Sequence, residues 1–505
     1  MVESQAGRTP MEQRARRIAR GGTAVFATSL TLKGTSVLAS ILIARHLGPY
    51  QLGEWSLVTS VTGLAWMFIE LGTGTAAVRL VSAARASDPE RAQRLSRTYV
   101  VLELLLSLPV LLAFAGSATW LSTDLYGDPV LLPLFWLSIA GLFLSTLVAC
   151  YAALMQAFER IRLLARMNLV FGASHSVLLV VFVLLWGLVG GFTASLVANA
   201  AQCLTYAALF KDVRPFRLDG WRLRRDDVTE ILFYAVPTFM SGVMLVAFNW
   251  IGATIVAGQI GVETLGHFSV AQRLAFVVLY IPSAIVVPFF PMATGLYQTS
   301  PSDFTRTLNH TLRYILLISF PATLIVAAFS RILVGVLYTD AYAEAAALLP
   351  ILAGASLLAS FLSPAILVFY VTGAMRRQIA LTSAAFAAAT VGVVLLVPAI
   401  GVEGFAWSYL LYYAVTIALA PVLHGALFPD PRYRRMTAVA LGLSGIVLTA
   451  GLLLARLEPF IASVIAIGTV AATAVGIYAK AFTERDRAFL RRLLEDLVGR
   501  RDDPR

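Results

Sequence analysis

The sequence predicts an all-α integral membrane protein with about fourteen transmembrane helices, arranged as two six-helix lobes plus a C-terminal helix pair. Three observations predict it. Apolar residues make up 59% of the 505-residue chain and charged residues 13%, against roughly 45–50% and about 25% in soluble domains. Apolar runs of about twenty residues, the length a helix needs to cross some 30 Å of hydrocarbon, recur along nearly the whole chain, without the alternation a transmembrane barrel needs. Two pairs of segments also repeat at a single spacing.

The first span follows the basic stretch "MVESQAGRTPMEQRARRIAR". The apolar run from Gly21 to Leu47 is too long for a signal h-region and lacks a clear small-residue cleavage site, so it reads as uncleaved. Later spans are expected at 52–82, 98–121, 130–156, 167–187, 189–210, 229–258, 264–296, 312–337, 345–372, 379–399, 402–427, 436–455 and 459–480. Charge checks this count independently, because Lys and Arg collect on the cytoplasmic side. The connectors "AARASDPERAQRLSR", "FERIRLLAR", "KDVRPFRLDGWRLRRDD", "GAMRRQ" and "FPDPRYRRM" are basic, whereas "STDLYGDP", "WGLVGG", "GQIGVE", "PAIGVEG" and "RLEPF" carry little positive charge. Segments assigned to the inner side hold 33 of the 39 Lys and Arg, which puts both termini in the cytoplasm. Topology thus accounts for the net charge of +11 and removes the case for a nucleic-acid partner. The connector 211–227 and the tail from 482 onward read either as amphipathic helices on the anionic leaflet or as solvated basic loops.

The repeat organises the domains. "LGPYQLGEWS" (47–56) lies over "IGVETLGHFS" (260–269), matching Gly48 to Gly261, Leu52 to Leu265, Gly53 to Gly266 and Ser56 to Ser269. The same offset matches Gly191, Phe192 and Ser195 to Gly404, Phe405 and Ser408. Span 1 maps onto span 7 and span 6 onto span 12. Six is even, so both halves enter the membrane in the same sense and are expected to be related by a pseudo-two-fold axis along its normal, as in some secondary transporters. The expected divisions are a cytoplasmic segment 1–20, an N-lobe 21–210, a linker 211–228, a C-lobe 229–427, spans 13–14 at 428–481, and a basic amphipathic tail 482–505.

Charges inside spans mark candidate sites, since they usually face a bundle interior or an aqueous cavity. Lys33, Arg79 and Arg273 are basic residues that neither inner loops nor span ends explain, and Glu70 and Glu103 are their acidic counterparts. At about 1.5 Å of rise per residue, Lys33 and Glu70 share a depth and form a candidate pair, and Arg79 and Glu103 also share a depth, much nearer the cytoplasmic side. The alternative is that these ions only neutralise one another and lock helices together. A desolvated Lys33, unlike an arginine, is able to lose its proton, which makes it a candidate for coupling transport to protonation. Pro282 and Pro288 in span 8 are candidate hinges, and Gly34, Gly72 and Gly74 candidate points of close helix approach. Cys150 and Cys203 read as packing residues, with no disulfide, metal or cofactor implied.

"ILIARHLGPYQLGEWSLV" (41–58) followed by "FIELGTGTAAVRL" (68–80) resembles the opening helices of Wzx-type polysaccharide exporters of the multidrug/oligosaccharidyl-lipid/polysaccharide superfamily. "FSVAQRLAFVVLYIPSAIVVPFFP" (268–291) and "GVEGFAWSYLLYY" (401–413) are similar to the eighth and twelfth helices of that family. The resemblance covers residues 20 to about 430. It implies a transporter, not an enzyme, that moves a polyprenyl-pyrophosphate-linked oligosaccharide to the outer leaflet of a bacterial cytoplasmic membrane for surface polysaccharide synthesis. By helix position, Lys33, Arg79 and Arg273 would line a cationic cavity for the pyrophosphate, with Glu70 and Glu103 as cavity carboxylates or coupling groups. Its partners would be the lipid-linked substrate, the bilayer, and a glycan polymerase or glycosyltransferases.

Three other readings compete with this one. A multidrug-extrusion cation antiporter would use Glu70 or Glu103 as its proton and cation carboxylate. A major-facilitator carrier would need its Gly and Asp-Arg signature between spans 2 and 3, which "AARASDPERAQRLSR" lacks. A membrane glycosyltransferase or polymerase would need catalytic groups in sizeable extramembrane loops, and the expected outer loops are mostly short.

Overall fold

In the computed structural model, residues 10–210, 223–424 and 431–454 are described, together with positions 465, 467 and 468. Side chains are described from Lys33 onward, apart from a few within those stretches. The linker 211–222, the rest of the expected fourteenth span and the basic tail lie outside the described residues.

The described chain is helical, with no strand. Its helices are α1 (Pro10–Glu70), α2 (Thr73–Ser87), α3 (Pro89–Trp120), α4 (Leu131–Ala157), α5 (Ile161–Leu209), α6 (Arg225–Gln259), α7 (Val262–Phe276), α8 (Tyr280–Thr299), α9 (Pro301–Ala328), α10 (Ser330–Leu337), α11 (Ala345–Thr372), α12 (Met375–Ile400), α13 (Val402–His424) and α14 (Pro431–Leu454). Among the described residues, eleven helical segments are long and apolar enough to cross a membrane. Two of them hold two expected spans each. In α1 the chain reverses at Gly48 (φ 75°, ψ 173°), a conformation glycine adopts without a Cβ clash, so spans 1 and 2 follow one another with almost no loop. In α5 the reversal is at Trp186 and Gly187. Thirteen of the fourteen expected spans therefore fall on described helices.

Span 2 is interrupted in its middle. The backbone leaves the helix at Leu71 (φ 43°) and Gly72 (φ 77°) and resumes in α2. Span 8 stays helical but tightens to a 3-10 turn at Val277–Leu279 between α7 and α8, and Pro282 falls in the first turn of α8. There its missing N–H would be one of the orphan donors anyway. A break such as that in span 2 is tolerated inside a membrane only where protein or water satisfies the freed backbone groups.

The chain forms two compact units. The first comprises residues 1–270, 337–342 and 369–416. Its core joins Tyr99, Leu102, Cys150, Leu154, Tyr206, Ile231 and Ala235, so α6, which holds span 7, packs into the core of spans 2 to 6. The second unit comprises residues 271–336, 343–368 and 417–505. Here α9 packs against α8 and α14, and α11 is apolar on every side and mostly buried, as expected for a helix wrapped by others. Ser444 of α14 donates to the Gly354 carbonyl (3.0 Å), and Phe361 stacks near Tyr433 (6.4 Å).

Candidate functional site

Within the first unit, the repeat becomes a physical joint. Ser56 and Ser269, which occupy the same position in the two repeats, are in hydrogen-bond contact. A Cβ added at Gly53 would lie 1.9 Å from the Val262 carbonyl oxygen, and one added at Gly266 would lie 1.9 Å from the Pro49 carbonyl oxygen. Position 49 is the repeat counterpart of 262, so the two contacts are one contact seen twice about a two-fold axis running between the serines. Behind them, Trp55 meets Phe192 (5.1 Å between ring centroids), and the equivalent Phe268 meets Phe405 (4.3 Å). Ser195 and Ser408 each donate to the carbonyl four residues back, at Gly191 and Gly404. Leu52 and Leu265 are both buried. The two halves therefore meet at the short-turn end of the bundle, backbone against backbone, through residues that the repeat singles out.

More contacts seal that end. The Tyr126 hydroxyl lies 3.1 Å from Thr254 Oγ1, and Arg45 Nε donates to the Leu337 carbonyl (2.8 Å). Tyr50 donates to Asp128 Oδ2 (3.2 Å). Glu54, buried one turn into span 2, lies against the same Asp128 carboxylate. Sequence reading misses Glu54, although its place in an apolar helix is the same signal that picks out Glu70.

At the other end, which carries the basic connectors, the halves are tied by ions. Arg94 Nε meets Asp227 Oδ2 at 3.1 Å, and Arg91 Nη2 meets Glu230 at 2.9 Å. The Asp227 side chain is 8% exposed and that of Glu230 33%. Both pairs join α3 to α6. Charge counting treats these arginines only as topology markers.

Between the two ends lies the break in span 2, and most of the candidate ions collect there. Glu103 of α3 is fully buried; its Oε2 contacts the Thr73 hydroxyl, and its Oε1 has no hydrogen-bond partner. Thr73 also donates to the Glu70 carbonyl (2.6 Å), closing the loose end of α1. Gly74 brings the chain close to two polar groups: a Cβ there would lie 3.7 Å from Glu70 Oε1 and 3.5 Å from the Tyr99 hydroxyl. A Cβ at Gly72 would fall 2.7 Å from the Ala235 carbonyl oxygen, so the break is pressed against α6. Among the described residues nothing lies within 4 Å of a Cβ at Gly34.

The expected ion pair does not form. Glu70 makes no ion pair with Lys33, because its neighbours are Gly74, Tyr99 and Glu103. Nor does Arg79 pair with Glu103: its side chain is exposed and its guanidinium carbon lies 4.3 Å above the Tyr234 ring of α6. Equal depth on two helices leaves rotation undetermined, and the break at Gly72 turns α2 relative to α1. Among the described residues, then, Glu70, Arg79 and Glu103 do not neutralise one another. Lys33 is half-buried on α1 in the first unit, and Arg273 is half-buried on the part of α7 that belongs to the second. Pro288 lies in α8. Among the described residues no cluster of His, Cys, Asp and Glu is arranged to hold a metal ion.

Solved structures of membrane transporters share this architecture. The lipid II flippase MurJ in an inward closed conformation superposes with a TM-score of 0.69, covering 91% of this chain and 99% of its own at 11% identity. An inward-facing multidrug-resistance MATE family transporter of the MOP superfamily gives 0.65, with 83% and 95% coverage and 14% identity. A MOP superfamily transporter from Pyrococcus furiosus gives 0.60, with 86% and 96% coverage and 15% identity. At these identities the likeness establishes the fold, which MurJ and the MATE transporters share. No curated protein sequence matches. The sequence profile of the polysaccharide biosynthesis protein family matches residues 42–347, which contain the seam, the broken span and both ion pairs. That match covers more than half of the chain, and the protein is a member of the polysaccharide biosynthesis protein family.

Proposed function

We propose that this protein flips a lipid-linked oligosaccharide, carried on a polyprenyl pyrophosphate, from the cytoplasmic to the outer leaflet by alternating access. It does so in a bacterial cytoplasmic membrane, for cell-surface polysaccharide synthesis, and acts as a transporter without making or breaking glycan bonds. The observation that carries the reading is the family match over residues 42–347, the region whose two halves meet at the Ser56–Ser269 joint. A joint formed by repeat-equivalent surfaces has a natural way to part, since the halves need only rotate about their common axis. In this reading the short-turn end faces outward, both termini are cytoplasmic, and residues 21–210 and 229–427 move as the two lobes.

A pyrophosphate needs cations that are not already neutralised. Arg79 fits: its only close partner among the described residues is the uncharged Tyr234 ring, and its five N–H donors suit a phosphate. Lys33 and Arg273 are assigned the same role by helix position. The test is lipid-linked sugar flipping in proteoliposomes. Arg79→Ala, Lys33→Ala and Arg273→Ala are each expected to lower turnover at least tenfold. Deletion in cells is expected to accumulate lipid-linked intermediates, and loss of drug extrusion with normal surface glycan would favour the cation antiporter instead.

A further inference from the structure

The Glu103 carboxyl group is fully enclosed, and its surroundings say which form it takes. Its Oε2 contacts Thr73 Oγ1, yet that hydroxyl has a single hydrogen, and a carbonyl of the broken helix, that of Glu70, needs it at 2.6 Å. Among the described residues, an ionised Glu103 would face a hydroxyl lone pair, leave Oε1 without a partner, and have no cation to answer it. An uncompensated buried charge of this kind is very costly.

The facing groups confirm the missing countercharge. α1 supplies Glu70, itself acidic; α3 supplies Tyr99, in hydrogen-bond contact with Cys150 of α4; and α5 supplies Cys203 behind Cys150. Of the two cations on α2, Arg79 is engaged with Tyr234 of α6 and Arg85 meets Glu159, while Arg91 and Arg94 are paired with Glu230 and Asp227. Adding one proton to Glu103 settles every hydrogen. Glu103 then donates to Thr73, and Thr73 donates to the Glu70 carbonyl.

We infer that Glu103 is a proton-binding site set into the break of span 2, and that it is loaded in the conformation in which the Ser56–Ser269 seam is shut. Its position gives the proton something to do. Thr73 is the first residue of α2, and the adjoining Gly72 backbone presses on the Ala235 carbonyl of α6, the helix that brings the second half of the chain to this site. Loss of the proton to water leaves a carboxylate that has to be hydrated. Hydration requires α6 to leave the break. By linkage, acid favours the seam-shut state and alkali the parted one. The cargo does not enter this argument, so the inference stands apart from the proposed function.

The test is infrared titration of the purified full-length protein in lipid nanodiscs, where the carbonyl stretch of a neutral carboxylic acid is resolved from that of a carboxylate. A neutral-acid component is expected at neutral pH, lost on titration to alkaline pH and absent from Glu103→Gln. Thr73→Val, which removes the acceptor hydroxyl, should shift that component to higher frequency. In parallel, reaction of Ser56→Cys with a membrane-impermeant thiol reagent, taken relative to a fully exposed cysteine at the same pH because the thiolate is the reacting form, should rise with pH in an otherwise wild-type chain and stay low when Glu103→Gln is added. An unchanged spectrum in Glu103→Gln or in Thr73→Val would overturn the assignment. So would loss of the component on adding sodium at fixed pH, or an identical pH course of labelling with and without Glu103→Gln.

Discussion

The two joints that tie the first and second halves are built on different physics. At the short-turn end, Gly53, Gly266, Ser56 and Ser269 meet in repeat-equivalent pairs, without charge, at backbone distance. At the basic end, Arg91 and Arg94 meet Glu230 and Asp227, and nothing in the repeat mirrors them: the counterparts of Arg91 and Arg94 in the second half are Phe304 and Thr307. The first joint is steric and symmetric, and its repeat-equivalent contacts carry no charge, although the Glu54 and Asp128 carboxyl groups meet beside it. The second is ionic and one-sided. A duplicated chain inherits the first kind of contact from its ancestry, whereas the second has to be added to one copy.

This contrast is open to attack at its strongest point. Gly53→Ala places a methyl group where a carbonyl oxygen already lies, and overpacking of that order costs about 1–3 kcal/mol. The shut state should lose population by roughly five- to 150-fold, at about 1.4 kcal/mol per factor of ten, read as faster labelling of Ser56→Cys. Gly266→Ala should act equally, and unequal effects would break the two-fold description.

The ionic joint should respond less. Arg94→Ala strands the buried Asp227 and should cost about 1–3 kcal/mol, measured as a lowered thermal midpoint. Arg91→Ala touches a pair that is a third or more exposed on each side, where solvent screening leaves about 0–1 kcal/mol. If Arg91→Ala cost more than Arg94→Ala, burial would not be what sets the strength of this joint. Raising ionic strength should weaken the exposed Arg91–Glu230 contact first and leave Ser56→Cys labelling unchanged. At the exposed Arg79, Arg79→Ala gives up a cation–π contact worth about 0.5–1 kcal/mol, so its expected loss of turnover should far exceed its loss of stability.

Much of the fold is legible in the sequence because hydrophobicity and charge report on helix length and sidedness directly. The thirteen described spans follow from those two signals, and the mapping of 48–56 onto 261–269 from residues repeated at one spacing. Pairings inside the site cannot be read that way. Depth along a helix comes from counting residues, but the azimuth of Glu70 relative to Lys33, and of Arg79 relative to Glu103, depends on the break at Leu71 and Gly72. A leucine in a left-handed conformation leaves no mark in the sequence. Thr73 escapes notice because a hydroxyl in a membrane helix ordinarily serves its own backbone, as Ser195 and Ser408 do here. Glu230 and Asp227 are hidden among charges that topology already explains.

The most direct measurement is a disulfide across the axis. With Ser56→Cys and Ser269→Cys in one chain, oxidation should join the halves at the short-turn end, abolish flipping of a lipid-linked oligosaccharide in proteoliposomes, and release it again on reduction. Undiminished turnover by fully cross-linked protein would show that the halves do not part at this seam.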